Sequence, residues 1–408
     1  MSLVLDTRPL RTSRTFCRLW LSSSVSAVGS QFTLVAVLYQ AWSLTRSPAV
    51  VGAVGLAQAV PMVVFGLVGG SLADAVDRRR LVLLATSGQL LAAGLLALQA
   101  VAELRSVAVL LALVSVQAAC AALGAPARRT FAARLLPTEQ VAAGIALTHV
   151  SFQVAMLTGP VAAGAVTAAW GVGACYAVDS VTFVAALSGV RSLPALPPGH
   201  AVDRPGLGPV VGGWRFMARQ PVLRGALAVD VLATVLAMPI ALFPVINDER
   251  FGGSARTLGL FFSAIALGGI AAGAVSGIVT RASRPGAIML VAAGIWGGGL
   301  AGFGLARQLW LALGWLAVAG AADTLSVIAR GTIVQLATPD SYRGRVSAVE
   351  HIVGVSGPDL GNFRGGLLAG ATSATFAVVS GGLLCLVGVA GLAATNMPLR
   401  RFAVVRAA

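Results

Sequence analysis

Four ionisable side chains sit where charge is costly. Asp230, Asp323, Asp359 and Arg364 fall inside apolar runs long enough to cross a bilayer. On insertion scales a charge at mid-membrane costs about 2.5–3.5 kcal/mol, so such groups pair, carry protons or hold a ligand. At ~1.5 Å per helical residue, Asp359 lies roughly 18 Å into a run starting at Ser347, near the middle of a ~30 Å apolar core. By the same ruler Asp230 lies about 12 Å and Asp323 about 20 Å into their runs. Asp359 directly follows Gly357-Pro358, a backbone interruption. These three carboxylates are the expected proton carriers. Arg364 is the expected partner for an anion, because five helical residues from Asp359 leave it about 140° around the helix, poorly placed to pair. Gln31, with Ser30, is a further candidate for the wall of a cavity.

Other chemistry finds no support. Cys17, Cys120, Cys175 and Cys385 are far apart and form no CxxC pair, and only three His occur, so neither a metal site nor a disulfide framework is expected. No nucleophile–base constellation stands out, and no G-x-x-x-x-G-K-[ST] loop offers a nucleotide cradle. No catalytic residue, metal or cofactor is expected.

The elements that must position these groups follow from composition. The 408 residues are 57% hydrophobic and only 11% charged, with mean hydropathy +0.88, against about 25% charged in a soluble domain. Runs of about 20 apolar residues, the length a spanning helix needs, occur twelve times. They lie near 19–44, 48–73, 81–101, 107–127, 141–168, 172–193, 222–246, 257–280, 287–306, 309–335, 347–370 and 373–396. The one long break, rich in Pro, Gly and Arg, predicts a six-helix bundle over 1–193, a central loop over 194–221 and a second six-helix bundle over 222–408. Within that loop, the alternation of Trp214, Phe216 and Met217 with Arg215 and Arg219 predicts a short helix lying on the inner leaflet. The first run exceeds a signal-peptide apolar region and is expected to stay as a span.

The chain has 29 basic residues, all Arg, and a net charge of +15. With the N-terminus inside, alternate loops place 22 Arg on the cytoplasmic side and 5 outside, leaving Arg330 and Arg364 within spans. That asymmetry predicts both termini in the cytoplasm. It also assigns the positive charge to membrane topology, not to nucleic acid.

Three segments carry further information. Gly69 to Arg80, between the second and third runs, places Gly70, Leu72, Asp74, Arg78 and Arg79 in a charged turn. Ala155 to Gly164 holds Gly159, Pro160 and Gly164, small residues that let helices approach and a Pro that interrupts the ladder. Gly357-Pro358 repeats that interruption in the second half, and paired breaks point to a binding site near the midplane. Finally, Val334 to Ala348 reads VQLATPDSYRGRVSA.

With its six-plus-six layout, the chain resembles the major facilitator superfamily. The charged turn is similar to that family's loop pattern G-x-L-A-D-R-x-G-R-R, with Ala75 and Asp77 departing from it. The Gly159 segment is similar to the antiporter motif G-x-x-x-G-P-x-x-G-G, departing at Ala155 and Ala163. The 334–348 segment, with Asp323 and Arg330 upstream, resembles the bacterial branch of enterobactin exporters and drug-efflux carriers. The resemblance implies an all-α integral membrane fold and a gating latch of Gly70, Asp74, Arg78 and Arg79. It further implies export of a small amphipathic molecule, siderophore-like or drug-like, by alternating access driven by a proton gradient. Broad efflux of lipophilic cations is the second reading, and a membrane sensor without transport is a third. A monomer in the bacterial inner membrane is expected, with the bilayer and a small-molecule substrate as partners.

Overall fold

The computed structural model describes residues 6–197, 207–275, 277 and 283–403; the side chains of Ser71, Asp74 and 207–210 lie outside that description. Residues 198–206 of the expected central loop, and the side chain of Asp74 in the expected latch, therefore lie outside the described residues. Every element is helical, as lipid requires: with no water to bond, a spanning backbone must satisfy its own N–H and C=O groups.

The helices are α1 (Arg14–Thr45), α2 (Pro48–Ala75), α3 (Arg78–Val101) and α4 (Val107–Arg129). A 54-residue helix, Thr138–Arg191, is broken at Gly171, whose φ of 78° and ψ of 177° are not helical. Its parts are α5 (138–170) and α6 (172–191). Then come α7 (Pro221–Phe251), α8 (Ala255–Ala274), α9 (Pro285–Leu305), α10 (Leu309–Ala337), α11 (Arg343–Ala371) and α12 (Ala374–Thr395). By length and composition, ten helices among the described residues can cross a membrane. That count takes α5 and α6 as one helix and omits α11, whose Arg343, Arg345, Glu350, Asp359 and Arg364 lower its hydropathy. Twelve spans result.

By internal contact the chain forms two units. The first comprises Met1–Thr45, Ala57–Pro205 and Ser254–Gly259. Here α1 lies against α5 and α6, and α3 against α4 and the α5–α6 pair. Small residues set the approach: a Cβ on Gly29 or Gly189 would overlap Thr182 or Ser22 across the α1–α6 contact.

The second unit comprises Arg46–Leu56, Gly206–Gly253 and Leu260–Ala408. In it α9 packs on α10 and α12, and α11 packs on the middle of α7. In the helix Leu207–Arg219, Met217 is buried with Leu223, Val334, Val346, Val349 and Val353, and Phe216 stacks on Tyr342 at 4.3 Å between centroids. Val211 and Trp214 stay 55% and 41% exposed.

The seventh run, expected as one span, is interrupted. It passes from α-helix (Pro221–Val231) through a π turn (Leu232–Leu236) and a 3-10 turn (Ile240–Leu242) to a final helix (Phe243–Phe251). Pro239 explains the interruption, because a proline has no N–H and its ring crowds the carbonyl four residues earlier. The exposed groups are met from α11. Arg364 Nε donates to the Val235 carbonyl at 2.8 Å, its NH2 donates to the Leu236 carbonyl, and Asn362 Oδ1 accepts from the Ala241 N–H at 3.0 Å. Gly357, Gly361 and Gly365, four residues apart on one face of α11, make room for Thr234, Met238 and Leu242.

Arg364→Met is expected to strand two carbonyls in apolar surroundings, at about 1–3 kcal/mol each. Thermal unfolding in detergent should show a clearly lower midpoint for Arg364→Met than for Arg364→Lys, which keeps a donor.

Candidate functional site

In the second unit three helices bring charges together. Asp230 on α7 forms an ion pair with Arg330 on α10; their side chains are 12% and 17% exposed. Arg330 Nε also lies 3.9 Å from Glu350 Oε1 on α11. Asp323, two helical turns before Arg330 on α10, is within electrostatic reach of both Asp230 and Arg330. Asp230 is thus paired with Arg330, and Asp323 lies near that pair on the same helix as the cation. Sequence reasoning placed Arg330 inside a span without assigning it a partner. The seven-residue spacing from Asp323 was the available signal, since seven residues is nearly two turns and puts both on one face.

Asp359 stands apart from this cluster. Nine residues beyond Glu350 on α11, about 13 Å along the axis, it makes no hydrogen bond or ion pair with any of the described residues. It is partly buried, and its backbone carbonyl faces Gly55 at the start of α2, where a Cβ would come to 2.6 Å. Arg364 is not its partner. Its Nε and NH2 donate to the α7 carbonyls, so Arg364 braces a broken helix.

In the first unit Gln31 sits against Gly159, at whose position a Cβ would lie 2.6 Å from the Gln31 Cβ. Gly164 makes room for the Ala255–Arg256 backbone, and the carbonyl of Pro160 faces Gly259. Gly159, Pro160 and Gly164 are all buried. The motif residues therefore supply close helix approach at these positions. Gln31 does not line the cavity described next, though its neighbours Ser30 and Thr33 do.

That cavity, of about 220 Å³, is bounded by Ser30, Thr33, Gln58, Gln89, Gln117 and Phe183 together with aliphatic side chains. A charged group stands behind each of two walls. Asp179 on α6, fully buried, accepts from Thr33 Oγ1 at 2.6 Å and from Gln117 Nε2 at 3.2 Å. On the other side Arg128 donates to Thr86 Oγ1 and to Gln89 Oε1, both at 2.8 Å. By the same depth ruler Asp179 falls near the outer face, and Arg128 is one of the 22 cytoplasmic-side Arg, so neither is among the sequence candidates. No spacing rule links either to its partners, which lie on other helices.

The charged turn is anchored within the first unit. Asp77 caps α3, its Oδ1 accepting from the Arg80 N–H at 3.0 Å, while its Oδ2 accepts from the Leu196 N–H at 2.9 Å. Arg79 donates to the Arg191 carbonyl at 2.8 Å, and Arg78 Nε to the Ala73 carbonyl at 3.2 Å. Gly70 has open space around its Cα. Asp77, one of the two residues that depart from the family pattern, thus helps tie the turn to the chain after α6, together with the Arg78 N–H on the Leu196 carbonyl at 3.0 Å.

Removing Arg330 alone should be more harmful than removing the whole pair. Arg330→Met leaves Asp230 and Glu350 without their cation, and breaking a buried pair costs about 3–5 kcal/mol. The double variant Arg330→Met, Asp230→Leu is expected to recover much of the lost thermal stability; a double variant no better than the single would mean the pair is not a unit.

The comparisons with known proteins agree with this architecture. A family profile described as transmembrane secretion effector matches residues 6–406. The enterobactin exporter EntS of Shigella boydii serotype 4 is 28% identical over 404 residues, covering 98% of this chain and 96% of that protein. The protein of the same name from Escherichia coli O139:H28 is also 28% identical over the same coverage. Among solved structures, a POT family transporter in complex with a thioalcohol-conjugated peptide superposes with TM-score 0.78 at 10% identity, over 95% of this chain and 97% of that one. A bacterial homologue of the iron transporter ferroportin superposes with TM-score 0.71 at 16% identity, over 95% and 99%. The structural likenesses carry the fold and the sequence matches the family: the chain belongs to the transmembrane secretion effector family of major facilitator transporters, in the branch that contains the enterobactin exporters.

Proposed function

We propose that this transporter exports a small amphipathic molecule, siderophore-like in class, by alternating access coupled to proton entry. One observation carries the proton coupling. Asp359 is a partly buried carboxylate beside the Gly357-Pro358 interruption, with no partner among the described residues. An acid retained at that cost without a salt bridge is suited to take up and release a proton. The Asp230–Asp323–Arg330–Glu350 group supports the same reading, since three acids around one Arg leave at least one free to titrate as the cation's position changes.

The similarity to enterobactin exporters supports export and a siderophore-like cargo. With both termini in the cytoplasm, as the Arg asymmetry supports, proton entry would drive outward movement. The protein would act as a monomer in the bacterial inner membrane. A second reading, efflux of lipophilic cations, is favoured specifically by the unpartnered carboxylate of Asp359.

Everted membrane vesicles carrying an inward-acid gradient test this reading directly. A pH-sensitive dye should report proton release when an iron-free siderophore is added, and Asp359→Asn should abolish the response while leaving the protein in the membrane. A response to lipophilic cations alone would select the second reading. Normal efflux by Asp359→Asn would remove that residue from the mechanism, and silence toward both classes would remove proton-coupled export.

A further inference from the structure

An open groove of about 430 Å³ lies at the turn between α9 and α10, bounded by Gly302, Leu305, Arg307, Gln308, Leu311 and Trp315. Gly302 and Leu305 are three residues apart on α9, and Leu311 and Trp315 are four apart on α10, so each pair shares one helix face. Trp315 lies about 10 Å along the α10 axis from Gln308. Gly302 admits the indole, since a Cβ there would come to 2.6 Å from Trp315 Cδ2. The groove thus has a guanidinium and an amide at the turn, and aromatic and aliphatic side chains along the helices.

Two arginines near the turn differ in what they hold. Arg250, near the end of α7, donates from NH1 to the Gly304 and Ala306 carbonyls at 2.7 and 3.0 Å and from NH2 to Thr375 Oγ1. It is satisfied by protein and pins the turn. Arg307 is exposed, and its side chain, like those of Gln308 and Trp315, makes no hydrogen bond or ion pair with the described residues. A guanidinium, an amide and an indole N–H therefore stand around the groove as donors without acceptors. No carboxylate lines it. The nearest acid on either helix is Asp323, eight residues beyond Trp315 and so about 12 Å further along α10. Beside the groove Leu305, Trp310, Trp315 and Val318 are exposed. On helices long and apolar enough to span, such side chains meet lipid, and Trp near a helix end sits at headgroup level.

We propose that this groove holds one anionic glycerophospholipid, its phosphate on Arg307 and Gln308 and an acyl chain along Leu305, Leu311 and Trp315. The guanidinium fork matches two phosphate oxygens, and a cation at the membrane surface attracts anionic lipid. A zwitterionic headgroup would bring an ammonium among donors with no carboxylate to receive it, so the lining selects net negative charge. Inorganic phosphate would leave the apolar length of the groove bare, whereas a lipid covers it. With the termini in the cytoplasm, as the Arg asymmetry supports, the lipid comes from the outer leaflet. Arg307 is then one of only five Arg on that side, where the rule that gathers Arg inside does not account for it. The site is independent of the cargo and of proton coupling.

Native mass spectrometry of the full-length protein in mild detergent counts bound lipid directly. The first phosphatidylglycerol should bind about tenfold more tightly than the first phosphatidylcholine of the same chains, the equivalent of roughly one charge-assisted hydrogen bond. Arg307→Gln, a change at an exposed turn, should erase that preference. Arg105→Gln, which removes another exposed Arg away from the groove, should keep it. Trp315→Ala should weaken the first binding of both lipids, and excess inorganic phosphate should leave the bound phosphatidylglycerol in place. Equal binding of the two lipids by wild type, an unchanged preference in Arg307→Gln, or its loss in Arg105→Gln as well would overturn the proposal. Undiminished binding by Trp315→Ala, or displacement by inorganic phosphate, would equally overturn it, by showing a bare anion site without a seat for the chain.

Discussion

Everything in the second unit depends on how a broken helix is made tolerable in lipid. A membrane interior offers no water to a freed carbonyl or N–H, so the interruption of α7 at Pro239 requires partners from protein. Arg364 and Asn362 on α11 provide them, one closing two carbonyls and the other an N–H. The glycines at 357, 361 and 365 allow α11 to come close enough for this to work. The same helix presents Asp359 on the opposite face and Glu350 two turns before Gly357 on the glycine face. One packing arrangement thus fixes the break, the brace and two of the acids.

The two units handle buried charge differently. In the second, acids gather around Arg330, so the total charge is divided among groups on three helices and depends on their spacing. In the first, Asp179 and Arg128 never meet; each is satisfied by neutral hydroxyls and amides, and each passes its preference through those groups to the cavity. Such networks are strongly directional because a buried donor or acceptor left unmatched costs more than a good bond returns.

Much of the fold was legible in sequence. Hydropathy alone located all twelve spans, including α11, whose charges lower its hydropathy, and the gap between the fifth and sixth runs coincides with Gly171. The candidate acids were legible as types at unusual depth, but not as partners. The bracing role of Arg364 was not legible, because nothing in a linear pattern shows that the carbonyls of residues 235 and 236 would need donors. Gln31 was read as a cavity residue because its helix face was correct to within one position; Ser30 and Thr33 face the cavity, while Gln31 fills the space left by Gly159. Asp179 was not among the candidates because its significance lies in Thr33 and Gln117, 146 and 62 residues away. Local periodicity gives faces; long-range pairing decides what each face meets.

The central claim is that outward movement of cargo and inward movement of protons are one process. Purified protein reconstituted in liposomes on a solid-supported membrane, given a concentration jump of an iron-free siderophore, reports charge displacement directly. The account predicts a transient current whose sign and size follow the imposed pH difference and are indifferent to sodium. A current that follows sodium, or cargo accumulation with no dependence on the pH difference, would contradict it.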